Sequence, residues 1–361
     1  MGGSFLTELG WDTDFEKVSQ GLDRELTPGR VVMEFRGWWR ALTNAGELLC
    51  RVSGTFLRNA VGQEDTPVIG DWTLLRPNED GETGIIHLLL PRRTSLSRKA
   101  AATHTDVQVI AANIDTAFII QGLDDNFNLR RLERYLIMVR EGGVQPVIIL
   151  NKSDLKEDNT AAMKAAQEVA RGAPIILMSA LTGNGLNAIT EYIKPGRACC
   201  LLGSSGVGKS TLLNALLGKD TQKVQEVRAG DSRGRHTTSV RRLFRLPEGG
   251  LMVDTPGMRE LQLWNTGEVD NTFSEIEELA TRCHFNDCTH VHEPECAVLE
   301  AIENGELEPG RLISFRKLQA EGWQLDRTRK QQLSYKRRLE EKAIAKRRNE
   351  LRRRRKPKKK K

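Results

Sequence analysis

Residues 203–210 read Gly-Ser-Ser-Gly-Val-Gly-Lys-Ser, the spacing G-x-x-x-x-G-K-[ST] of a phosphate-binding loop. The chemistry follows from the residue types. Glycines let the backbone N–H groups of Gly203, Ser204, Ser205, Gly206, Val207 and Gly208 turn inward around phosphate, and a helix starting at Lys209-Ser210-Thr211 adds positive potential. Lys209 is placed to reach the β and γ phosphates, and Ser210 to ligate Mg2+. The flanks agree: an apolar CCLL runs in and a helical TLLNALLG runs out. Three further groups fit the same ligand. Asp254, in DTPG, follows LMV, where a carboxylate holds a magnesium-bound water, and Gly257 offers a backbone N–H to the γ phosphate. Asn151-Lys152-Ser153-Asp154 follows VIIL, and its carboxylate can accept from two adjacent N–H donors of guanine, a pairing adenine lacks. Ser179-Ala180 follows IILM and supports the base. Each short motif alone also fits a turn or a helix cap; together they point to GTP or GDP with Mg2+.

The order is unusual, with the base-reading elements first, the phosphate loop second and Asp-x-x-Gly last. That is a circular permutation, which a doubly wound sheet tolerates because its ends can lie close together. After Asp-x-x-Gly, Met258 stands where many GTPases use Gln to orient the attacking water. A thioether cannot do this. His236, in GRHTTS, is the candidate instead, since imidazole can accept from or donate to water. Thr237 or Thr238 beside it is expected to ligate Mg2+.

A second constellation lies later. Cys283, Cys288 and Cys296 fall within a polar stretch that also holds His284, His290 and His292. Three thiolates and one imidazole make a closed tetrahedral site suited to structural zinc. A disulfide framework is not expected, because the chain reads as cytosolic.

These groups need a scaffold. From about residue 105 apolar runs alternate with helical patterns, predicting an α/β doubly wound parallel sheet with the motifs at strand ends. Before it, RVVMEFRGWWRAL, ELLCRVSGTF, TPVIGDWTLLRP and GIIHLLLPRR read as short strands bounded by turn residues, the pattern of a small oligonucleotide-binding or SH3-like barrel. The expected division is an N-terminal extension over 1–29, a barrel over 30–100, a permuted nucleotide-binding domain over 101–268, a zinc-binding helical domain over 269–325, and a basic tail over 326–361.

The 361 residues are 39% hydrophobic and 29% charged, a composition that excludes collagen-like and wholly disordered chains. The net charge of +7 hides an asymmetry: 17 Lys/Arg against 3 Asp/Glu from residue 330 onward, and a net −7 before it. An acidic body with a basic tail predicts a polyanionic partner. Neither a signal peptide nor a membrane-spanning run is expected. In the barrel, Trp38, Trp39, Phe56 and Trp72 could stack on bases beside Arg36, Arg40, Arg51 and Arg58, with at least half of the aromatics expected in the core. Arg92, Arg93, Arg98 and Lys99 read as a basic linker along RNA. In the tail, a helix is expected over 337–355 and none over 356–361.

The sequence resembles the ribosome small-subunit-dependent GTPase A family of circularly permuted bacterial GTPases. The likeness rests on IGDW, LPRRTSLSRKAA, VIAANID, NKSD, GSSGVGKST, GRHTT, DTPGMRE and the cysteine cluster, and covers nearly the whole chain. It implies an oligonucleotide-binding barrel, a permuted GTPase and a zinc region, and by its spacing selects His290 over His284 and His292. It favours Thr238 as the Mg2+ ligand. It further implies a cytoplasmic, monomeric protein in late maturation of the 30S subunit. Its GTP hydrolysis would be stimulated by the subunit and coupled to release, with the 30S subunit and its 16S rRNA as the partners. The rival reading is a GTP-dependent RNA-binding module whose hydrolysis is incidental.

Overall fold

The structure is a computed structural model describing residues 5–20, 25–35, 37–60, 63–99, 107–218, 241–254, 273–285 and 288–316. Two short helices, α1 (Phe5–Glu8) and α2 (Thr13–Ser19), precede five strands: β1 (Thr27–Phe35), β2 (Trp38–Thr43), β3 (Gly46–Val52), β4 (Trp72–Pro77) and β5 (Thr83–Leu89). Helix α3 (Gly54–Asn59) follows β3. These strands close on themselves in the order β1-β2-β3-β5-β4-β1, with β3 and β5 parallel and every other pair antiparallel. This is the oligonucleotide-binding topology, and it decides between the two barrels that strand spacing alone had left open. The apolar run from Arg30 to Leu42 is two strands, because Gly37 at φ +80° turns the chain back between them.

A hairpin of β6 (Ser95–Lys99) and β7 (Val107–Ala112) leads into the second layer system. There β8 (Thr116–Gly122), α4 (Leu129–Glu141), β9 (Gln145–Asn151), α5 (Thr160–Ala170), β10 (Ile175–Leu177), α6 (Leu186–Thr190), β11 (Ala198–Leu202), α7 (Lys209–Leu217), β12 (Arg242–Arg245) and β13 (Leu251–Asp254) follow in turn. The strand order is β10-β9-β8-β11-β13-β12, parallel except for β12. Every residue of β8 and β11 is buried, as expected of central strands covered by helices on both faces. Asn128 starts α4 by accepting the Arg131 N–H at 2.9 Å, and Leu132, Leu136 and Val139 of that helix enter the core. One antiparallel step, Met33 opposite Arg242, joins the barrel edge to β12.

The N-terminal helices wedge between the two units. Trp11 meets Trp72 edge-on at 4.9 Å between ring centroids, and Phe15 packs on both. The guanidinium of Arg30, wholly buried, donates to the backbone carbonyls of Leu9 and Asn113 and lies over Trp72. It thereby ties the extension, the barrel and the start of the sheet together. Burial pushes the pKa of that guanidinium down to about 10.

Of the four barrel aromatics, Trp39 and Trp72 are buried, while Trp38 and Phe56 are half-buried. The linker arginines are committed elsewhere than the sequence suggested. Arg92 donates from Nε and Nη2 to both oxygens of the buried Asp71 at 2.8 and 2.7 Å, and Arg93 pairs with Asp12 while covering Phe15. These two side chains fasten the linker in place, Arg92 to the barrel at a half-buried position and Arg93 to the N-terminal extension at the surface. Arg36 lies outside the described residues, as does the side chain of Lys99.

The C-terminal region contributes α8 (Ser274–Ala280) and α9 (Ala297–Glu303), with a further helical stretch over 309–316. Phe273, Ile276, Val298, Ala301, Leu312 and Phe315 are buried together in the same apolar cluster as α4. The guanidinium of Arg311 binds the buried Glu133 of α4 and Glu275 of α8, and stacks over Phe273. Glu275 also meets Arg171 at the end of α5. Among the described residues no helix is long and apolar enough to cross a membrane. The basic tail lies outside them.

Candidate active site and metal centre

The permuted order places the motifs at the carboxyl ends of neighbouring strands. The phosphate loop leaves β11, Asn151 ends β9, Ser179-Ala180 follows β10, and Asp254 ends β13. Between β8 and β11 the chain order reverses, and the crevice above such a switch point is where open α/β sheets hold their ligands.

The phosphate loop has the shape its glycines permit. Gly203, Gly206 and Gly208 have φ of +150°, +84° and +99°. Lys209 folds back over the loop, its Nζ donating to the carbonyls of Gly203 at 2.7 Å and Ser204 at 2.6 Å. Burial lowers the pKa of this ammonium and the nearby Asp254 carboxylate raises it. Ser210 is exposed at the start of α7, Thr211 follows it, and Val207 is fully buried.

Asn151 is the hinge pin of the site. It is buried, its Nδ2 donates to the Val207 carbonyl at 2.7 Å, and its Oδ1 accepts the Ala180 N–H at 2.9 Å. One amide thus locks the phosphate loop to the base-supporting loop. Ser179 is buried and accepts the Thr182 N–H at 3.2 Å. Lys152 adopts a left-handed conformation at φ +68°, and Asp154 sits exposed in the single helical turn Ser153–Leu155. A Cβ at Gly208 would stand 2.2 Å from Asn151 Nδ2. Gly208→Ala is therefore expected to break the Asn151–Val207 link and weaken GDP binding by at least about tenfold. A fluorescent-nucleotide titration checks it.

His236, Thr237, Thr238, Gly257 and Met258 lie outside the described residues. Residues with no motif signal stand at the site too. Asp124 Oδ2 binds Lys152 Nζ at 2.5 Å, and Asn126 binds Ser204 and Ser205 of the phosphate loop. The Tyr135 hydroxyl meets the Gly203 backbone.

The second site is assembled as the spacing predicts. One ligand atom from each of Cys283, Cys288, His290 and Cys296 lies within 4.8 Å of the others. The Cys283 and Cys296 Sγ atoms are 3.8 Å apart, and His290 Nδ1 is 3.6 and 3.4 Å from them. A tetrahedral zinc with bonds of about 2.3 Å to sulfur and about 2.0 Å to nitrogen has edges of roughly 3.8 and 3.5 Å. The residues fit that ion, which would hold this region together without offering an open position. His284 stands outside, 3.2 Å from Glu295, and His292 is exposed. Glu293, the loop's organiser, carries no motif signal. Its carboxylate accepts the N–H groups of Thr289, Val291 and His292 at 2.8–3.0 Å. The Thr289 hydroxyl and these N–H groups hold its pKa far below the usual carboxylate range. No disulfide forms among the described cysteines.

Comparison with known proteins agrees with this geometry. The family described as RsgA GTPase matches residues 89–264. The small ribosomal subunit biogenesis GTPase RsgA of Opitutus terrae is 42% identical over 327 residues, covering 88% of this chain and 89% of the relative. Among solved structures, YjeQ from Thermotoga maritima matches with TM-score 0.58 and 28% identity, over 83% of this chain and 98% of that one. YloQ, described as a circularly permuted GTPase, matches with TM-score 0.56 and 26% identity, over 84% and 96%. With its sheet order, its motif placement and relatives this similar over this much of its length, the chain belongs to the RsgA GTPase family.

Proposed function

We propose that the chain hydrolyses GTP, binds the small (30S) ribosomal subunit during its late maturation, and is stimulated in hydrolysis by that subunit so that turnover is coupled to release. The observation that carries the nucleotide half is the double grip of Asn151 on the phosphate loop and the base loop, which makes one pocket of two motifs far apart in sequence. In this reading the inward N–H groups of 203–208 and Lys209 bind the phosphates, and Asp154 reads guanine. Ser210 and Thr238 ligate Mg2+, with Asp254 holding one of its waters. Gly257 contacts the γ phosphate, and His236 orients the attacking water in place of the Gln that Met258 replaces.

The ribosomal half rests on the relatives' name, on the oligonucleotide-binding barrel and on the basic tail. On the barrel, half-buried Trp38 lies under the Arg51 guanidinium at 3.8 Å, and exposed Arg40 and Arg58 sit on the neighbouring segments β2 and α3. That surface and the tail are the proposed contacts to 16S rRNA. One zinc per chain is held by Cys283, Cys288, His290 and Cys296, and the protein works as a cytoplasmic monomer.

GTP turnover measured with and without purified 30S subunits tests this. The subunit is expected to raise the rate by at least about tenfold, equivalent to about 1.4 kcal/mol off the barrier. An unchanged rate with intact subunit binding would make the chain an RNA-binding module whose hydrolysis is incidental.

A further inference from the structure

A phosphate loop turns its N–H groups inward, so its carbonyls point outward and need donors of their own. Here four of them, on Gly203, Ser204, Ser205 and Val207, have side-chain donors. Lys209 Nζ serves Gly203 and Ser204, Asn151 Nδ2 serves Val207, and Asn126 Nδ2 donates to the Ser205 carbonyl at 2.9 Å. Lys209 is the donor that bound phosphate competes for. The amides of Asn126 and Asn151 then remain to hold the loop open.

Asn126 belongs to the turn over 124–126 that follows β8, on the other side of the switch-point crevice from the loop. Its orientation is fixed. Oδ1 accepts from the Ser204 hydroxyl at 3.1 Å and from Arg131 Nη2 at 2.7 Å, so a flipped amide would set oxygen against carbonyl and NH2 against guanidinium. Arg131 also donates to the Asn126 carbonyl, which anchors the turn to the first turn of α4. The preceding carboxylate grips the other half of the site. Asp124 Oδ2 holds Lys152 at 2.5 Å, and its Oδ1 accepts the Asn126 N–H at 3.2 Å. The Lys152 ammonium holds the Asp124 carboxyl below its usual range.

We propose that the turn over 124–126 is a clasp that positions both nucleotide loops, Asn126 the phosphate end and Asp124 the base end, and thereby sets the rate at which GDP leaves. This rests on the nucleotide occupying the pocket described above. Asn126 and Asp124 are positioning residues; neither touches the reacting atoms.

The two ends give the test its discrimination. The full chain with Mg2+ is mixed with fluorescent GDP, release is followed by stopped flow, and GMP affinity is measured by competition. Asn126→Ala is expected to speed GDP release about tenfold, the loss of roughly one well-placed hydrogen bond, while changing GMP affinity less than about twofold, because GMP lacks the β phosphate that the loop cups. Asn126→Asp, nearly isosteric, keeps the acceptor for Ser204 and Arg131 but cannot donate to Ser205, and is expected to release GDP as fast as Asn126→Ala. Asp124→Ala is expected to weaken GMP and GDP by the same factor, several-fold. GDP release within twofold of wild type in both Asn126 variants overturns the proposal, as does equal weakening of GMP and GDP by them. Failure of the wild-type chain to bind GDP at all would instead remove the nucleotide reading itself.

Discussion

With asparagine in place of Asp154, the chain is expected to bind GTP about 10²- to 10⁴-fold more weakly and to prefer xanthosine triphosphate. The carboxylate accepts two N–H bonds from guanine, and each hydrogen bond to a charged group contributes about 1.5–3 kcal/mol. An asparagine amide keeps one acceptor and turns an NH2 toward the guanine amino group, leaving a donor facing a donor. Xanthine carries a carbonyl where guanine carries that amino group, so the same NH2 then finds an acceptor. A site built around such polar pairs rejects the mismatched base far more strongly than an apolar pocket does. The backbone gives no reason for a folding defect, since Asp154 is exposed in the turn Ser153–Leu155. Equilibrium titrations with GTP, xanthosine triphosphate and ATP check it. An unaltered preference for GTP would mean that guanine is read by other groups.

Loss of the zinc site is expected to unfold the segment 273–316 while leaving the parallel sheet intact. That segment has only two seven-residue helices and a helical stretch over 309–316, each too short to be stable by itself. The ligands come from irregular backbone, with His290 itself at φ +57°. Structural zinc in small domains supplies apparent folding free energy of about 10–16 kcal/mol at neutral pH, far more than any hydrogen bond here. In Cys296→Ser, bound zinc should fall from one per chain to near zero, and hydrogen exchange over 273–316 should lose its protection. GDP affinity should change by less than about threefold, because the cluster contributes no ligand to the nucleotide pocket. Full protection of 273–316 in a zinc-free sample would contradict this. The Arg311 contacts with Glu133 and Glu275 are the route by which any larger effect on the nucleotide site would travel.

Much of the chemistry was legible because it is local. The glycines, Lys209 and Ser210 lie within eight residues, and the three cysteines and His290 within fourteen, so chain connectivity alone brings each set together. Alternating apolar runs likewise announced the strands of the sheet, and the permuted motif order announced its topology. Reading failed where a side chain's partner is distant. Arg92 looked like a surface cation because nothing near it in sequence is Asp71, which the barrel folds beneath it. Trp11 and Phe15 carried no periodicity, yet Trp72 gives them a core.

The sequence by itself determined which ligands the chain can hold, since phosphate, guanine and zinc are recognised by residue types at short, fixed spacing. Only the tertiary structure decided how the two nucleotide loops are held in register. Asn151 and Asn126 do this through bonds that cross the sheet's switch point, and Asp124 through its bond to Lys152 on the near side of it. Asn151 stands in a readable motif, but Asn126 and Asp124 are an isolated amide and carboxylate with no pattern to betray them until the fold sets another loop within about 3 Å.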